Sequence, residues 1–129
     1  MDKKGLVLSV VMYSYLNRAI IDVHFNGNDI GVSGAYGSTG IVTGVYIPFG
    51  QQTLNWRLDG PDGTPRNGDT INVKNLLVVS AAQVLATTRY LGLHIYPDFT
   101  AEIALCDDMP DISVRGDKIL QNRDPHGRQ

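Results

Sequence analysis

Apolar and polar residues alternate with a period of two in several short runs, the pattern of half-buried strands. "TLNWRLD" is the clearest, with Leu54, Trp56 and Leu58 on one face and Thr53, Asn55 and Arg57 on the other. "AIIDVHF" sets Ile21, Val23 and Phe25 against Asp22 and His24, and "TINVK" repeats the alternation with Ile71 and Val73. "YLGLHIY" alternates Leu91, Leu93 and Ile95 with Gly92 and His94; "TAEIALC" sets Ala101, Ile103 and Leu105 opposite Glu102. "GIVTGVYIPF" is apolar on both faces, which predicts a strand buried on two sides or lying under a loop. The opening "GLVLSVVMYSY", rich in β-branched residues and Tyr, predicts a buried first strand.

Turn chemistry separates the runs. Asn26-Gly27 is a hairpin signal, because both residues tolerate positive φ. "DGPDGTPRNGD", residues 59–69, can only be a loop, and "YPDFT", residues 96–100, joins its flanking strands into a hairpin. Short strands at this spacing predict an all-β fold, an antiparallel β-sandwich or small open barrel. Residues 80–87 could form one or two helical turns or a loop. The expected organisation is a single β domain over 1–112 and a polar C-terminal tail over 113–129, disordered or loosely packed.

Composition narrows the function classes. Eleven basic and thirteen acidic side chains leave a net charge of -2, with no basic run to attract a nucleic-acid backbone. No segment approaches the ~20 apolar residues of a membrane span, so membrane insertion is not expected. Lys3 and Lys4 before an apolar run imitate an export signal, but Ser9, Tyr13, Ser14, Tyr15 and Asn17 interrupt it and no small-residue cleavage site follows. Cys106, the single cysteine, ends an apolar run and reads as a small buried hydrophobe.

Six of the fourteen glycines fall in residues 27–44, "GNDIGVSGAYGSTGIVTG". A strand follows them rather than a Lys-Ser/Thr pair opening a helix, so they are not a phosphate cradle. Ser33 in "GVSGA" lacks the second glycine and the helix of a serine elbow. A His24–His94 pair on neighbouring strands could hold a metal with Asp22 or Glu102, but two solvent-facing histidines are more often surface residues; His126 lies in the tail. Neither a cofactor nor a metal is expected. With no catalytic constellation left, a binding or inhibitory module becomes the leading class.

The stretch from Ser9 to Gly40 resembles the opening of a family of small bacterial proteins, many of them lipoproteins. The likeness rests on Tyr13, Tyr15, Asn17, Arg18, Ile21, Asp22, Phe25, Asn26 and Gly27 with the glycines after them, and on His94, Tyr96, Pro97 and Asp98 in a terminal hairpin. Members of that family lie beside type VI secretion phospholipase effectors, and several are regarded as their immunity proteins. The resemblance therefore implies an inhibitor, not an enzyme, whose partner is a cognate lipase effector. The chain departs from the family in lacking the paired cysteines after the glycine-rich loop and the lipobox cysteine. Family membership would place it in the periplasm; a native start at Met1 would place it in the cytoplasm.

Loops on a rigid sheet are the usual carriers of recognition. Partner contacts are expected on the glycine-rich loop, at Asn28, Asp29, Tyr36, Ser38 and Thr39. The 62–67 loop (Asp62, Arg66, Asn67) and the acidic turn (Asp107, Asp108, Met109) are alternatives. Tyr36 and Arg66 are the expected anchors, since aromatic and Arg side chains supply much interface energy. A second reading, a carbohydrate- or small-ligand-binding module, would use the rings of Trp56, Tyr90 and Tyr96 as stacking surfaces, unless Trp56 fills the core.

Overall fold

A computed structural model describes residues 4–123. Its strands are β1 (Gly5–Ser14), β2 (Ile20–Phe25), β3 (Asn28–Ser33), β4 (Ser38–Pro48), β5 (Gly50–Gln52), β6 (Leu54–Leu58), β7 (Thr70–Asn72), β8 (Leu77–Val79), β9 (Tyr90–Ile95) and β10 (Ala101–Cys106). A 3-10 turn covers Ala81–Gln83 and a helix, α1, covers Val114–Asn122. The fold is an all-β sandwich, not closed into a barrel. One sheet runs β10-β9-β1-β4, the other β3-β2-β6-β7, and β5 with β8 makes a small ribbon. The pairs are antiparallel except β1 with β9, which run side by side in the same direction. Parallel neighbours need a long crossover, and here the intervening chain builds the second sheet.

The core lies between the sheets. Val10, Met12, Leu91, Leu93 and Ile95 from the first meet Ile20, Val23, Phe25, Leu54, Trp56 and Leu58 from the second. Trp56 is wholly buried, so it fills the core as its alternation with leucine suggests; among the described residues its indole N–H has no hydrogen-bond partner.

Departures from simple alternation trace to positive backbone angles. Asp22 has φ 48, and three steps from Ile21 to His24 on β2 face two from Arg57 to Asn55 on β6. That bulge shifts the inward set to Ile20, Val23 and Phe25, and leaves Ile21 half-buried. β4 carries two bulges. Between Leu8↔Val45 and Val10↔Val42, and again between Val11↔Ile41 and Tyr13↔Ser38, two steps on β1 face three on β4. Gly44 (φ 70) and Gly40 (φ 79) sit in those extra steps, in the left-handed region that glycine enters without strain. The glycine-rich stretch is thus largely bulge chemistry. It also corrects the expected burial of this strand: β4 is a sheet edge, and Ile41 and Tyr46 are exposed.

The expected hairpins form. Asn26 (φ 53) and Gly27 (φ 79) make the β2–β3 turn, and β9 pairs with β10 across residues 96–100. The C-terminal expectation needs correction. Residues 107–113 double back across the outer face of the first sheet, and α1 follows instead of a loose tail. Pro110 seats against Gly92, where a Cβ would come within 3.1 Å of the proline. Ser113 caps α1, its hydroxyl oxygen accepting from the Gly116 N–H at 2.9 Å. Gly116 is buried where any Cβ would collide with the Tyr15 ring. Residues 124–129, including His126, lie outside the described residues.

Candidate functional site

The structure separates the three expected contact loops into two groups. The glycine-rich loop and the 59–69 loop are both anchored on the link between β1 and β2. Tyr36 N–H donates to Leu16 O (2.9 Å), and Arg18 donates to Asp59 O (3.1 Å), Pro65 O (2.7 Å) and Asn67 Oδ1 (2.8 Å). The acidic turn lies elsewhere. It follows Cys106, which pairs with Tyr90, whereas Ser38 pairs with Tyr13, opposite His94. Four strand residues, about 13 Å, separate those levels.

Many of the expected contact side chains already serve their own loops. Arg66 (φ 67) pairs with Asp69 at 2.9 Å and stands 5.7 Å from the Phe99 ring centre. Asn67 donates to Gly60 O and Pro61 O, stitching the loop shut. Asp29 accepts from Gly31 N–H, Ser38 from Gly40 N–H, and Thr39 Oγ1 from Met12 N–H at 3.4 Å. Tyr36 (φ 51) is half-buried, with the Arg123 guanidinium 5.5 Å from its ring centre. Asn28, Asp62, Asp107, Asp108 and Met109 are exposed.

Two features were not legible in the sequence. The first is an aromatic and polar cluster beneath the C-terminal arm. Because β1 and β9 are parallel and in register, Tyr13 and His94 are neighbours, stacked at 5.5 Å. Tyr15 stacks on His94 at 5.8 Å and on Tyr96 at 5.4 Å. His94 is 2% exposed, which corrects its expected place on a solvent-facing surface. It also lies in the first sheet while His24 lies in the second, so the two do not sit on neighbouring strands.

Ser113 N–H donates to the Tyr15 oxygen at 3.1 Å, and the Tyr15 hydroxyl is hydrogen-bonded to His94 Nδ1 at 2.8 Å, Tyr15 donating where the ring carries its proton on Nε2. In parallel, Gly116 N–H donates to Ser113 Oγ, Ser113 donates to Tyr96 (2.7 Å), and Tyr96 donates to Glu102 Oε1 (2.6 Å). Both chains start at the N-terminus of α1 and end on the sheet. Burial and the adjoining Glu102 carboxylate push the Tyr96 hydroxyl up to about 12, and burial lowers His94 below its ordinary value, keeping it neutral. Arg115 closes the cluster from above: it lies 4.0 Å from the Tyr96 ring centre and pairs with Asp98 at 3.0 Å. A groove of about 630 Å³ opens beside it, lined by His94, Glu102, Asp111, Arg115 and Lys118 among others.

The second feature is apolar. Val7 on β1 and Tyr46 on β4 are cross-strand partners, 62% and 42% exposed, and Leu85 in the loop before β9 is 64% exposed. With Leu6, Val84 and Ala86 they line a depression of about 800 Å³. The rings named for ligand stacking are placed otherwise: Trp56 and Tyr96 are buried, and Tyr90 is half-buried. Among the described residues, no helix is long and apolar enough to cross a membrane. The chain matches no family, curated protein or solved structure in the comparisons made.

Proposed function

We propose that this chain is a binding module that captures a partner protein on the apolar depression between β1, β4 and the 84–88 loop. The observation that carries this reading is the exposed cluster of Val7, Tyr46 and Leu85. Contiguous apolar surface of this kind, rimmed by polar residues, is characteristic of protein contact sites. The resemblance of the opening and of the terminal hairpin makes the partner a type VI secretion phospholipase effector, and the role that of an immunity protein. The module then acts by stoichiometric occlusion rather than by chemistry.

The test is co-expression with the phospholipase encoded beside it. The expected outcome is a stable complex without lipase activity, weakened by ~2 kcal/mol or more in Leu85→Asp if that side chain is an anchor. Leu85 is exposed, so the substitution spares the fold. Retained affinity in Leu85→Asp and Val7→Asp, with loss in Tyr36→Ala, would move the interface to the glycine-rich loop. Failure to bind any neighbouring lipase would remove the immunity reading.

A further inference from the structure

The C-terminal arm is held on the first sheet by a hydrogen-bond chain that ends on a titratable ring. We assign His94 the tautomer with its proton on Nε2, so that Nδ1 accepts from the buried Tyr15 hydroxyl, for which the described hydrogen bonds provide no other acceptor. A ring with a proton on Nδ1 cannot accept that bond; the Tyr15 O–H must then turn away, leaving a buried hydroxyl proton without its acceptor. We propose that His94 is the latch of a proton-operated arm: protonation at Nδ1 breaks the Tyr15–His94 link and releases the arm around α1 from the sheet.

The surroundings of His94 decide the sign. From β1 and the residue after it come Tyr13 and Tyr15, stacked on the ring and uncharged at neutral pH. From β10 comes Glu102, in register with His94, whose carboxylate favours the imidazolium. Asp111 lies in the segment before α1, and Arg115 and Lys118 come from α1, so the groove lining carries two charges of each sign. Burial outweighs Glu102, and the docked ring holds its proton less tightly than a free one. A released ring returns to an ordinary value near 6.5. Release therefore takes up a proton. Docking is at full strength above about pH 6.5 and weakens by up to about tenfold per pH unit below it, until the docked ring itself titrates.

Release would also change the surface. The arm covers Gly92, where Pro110 seats beside the buried Val11 that pairs with it, and its last described residue, Arg123, stands over Tyr36. Mild acid would therefore bare Tyr36 and the Tyr13–His94 stack together.

Amide hydrogen exchange across α1 in the full chain, corrected for intrinsic rates, tests it between pH 7 and 4.5. The expected result is an open fraction of α1 that rises as pH falls below about 6.5, by no more than about tenfold per pH unit, with the β6 amides around Trp56 unchanged. His94→Asn places an amide oxygen where Nδ1 stands and cannot titrate, so its profile should be flat. Should that variant fail to fold, Tyr15→Phe decides: it removes the link and should raise the open fraction of α1 at neutral pH, and an unchanged open fraction there overturns the proposal. A flat profile in the native chain, or an equally steep one in His94→Asn, overturns the proposal.

Discussion

Val7 and Val11 stand on the same face of β1, four residues apart, yet Val7 is 62% exposed and Val11 only 1%. The sheet treats them alike; both are outward-facing apolar residues on a central strand. What differs is the layer above. Pro110 and the arm that leads to α1 cover the Val11 half, and nothing among the described residues seals the depression around Val7. One half of the face is closed by directed hydrogen bonds to aromatic side chains. The other stays open among the described residues. Alternation along β1 reports which side chains face out, but not which of them another part of the chain will cover.

The contrast breaks most visibly under charge. Val11→Asp should destabilise the fold by about 3–5 kcal/mol, because it buries a carboxylate without a partner. Val7→Asp should stay within about 0.5 kcal/mol of the parent. Urea unfolding of both variants measures the difference directly, and equal losses would mean that the Val7 half is sealed in solution. A smaller effect isolates the arm. Ser113→Ala removes the helix cap and the donor to Tyr96, and should cost about 1 kcal/mol, read as faster exchange in α1 with the sandwich unaffected. The smallest effect belongs to Asp98. Its bond from Thr100, with help from Arg115, holds its carboxyl down at about 2. The stabilisation from Asp98 is complete above the ordinary carboxylate value near 4 and fades as pH falls through 2. The pair is largely solvent-exposed, so Asp98→Asn should cost well under about 1 kcal/mol. Its acid response is thereby separated from that of His94, which begins several pH units higher.

Much of the sandwich was legible along the chain. Leu54, Trp56 and Leu58, the Asn26-Gly27 turn and the 96–100 turn each state their role locally, because strand alternation and positive-φ turns are local chemistry. The misreadings share a cause in contacts between distant residues. Ile21 was expected to face inward, but the bulge at Asp22 rephases β2. His94 reads as a surface residue until the chain returns nearly twenty residues later to cover it. Residues 113–122 are too polar to predict a packed helix, and their helix depends on Ser113 as cap and on a gap at Gly116 shaped to Tyr15. Grouping the glycine-rich and 62–67 loops at one end required Arg18, whose three loop bonds no spacing rule reveals. The Val7–Tyr46–Leu85 depression joins three separate segments, so no single run displays it.

The paired bulges of β4 carry a consequence for how the molecule meets others. A long, flat border strand invites a neighbouring chain to extend the sheet by backbone pairing, the route by which β proteins aggregate or swap strands. Gly40 and Gly44 each insert an extra residue and bend that border out of line. The glycines that first suggest looseness break the flatness that such pairing needs.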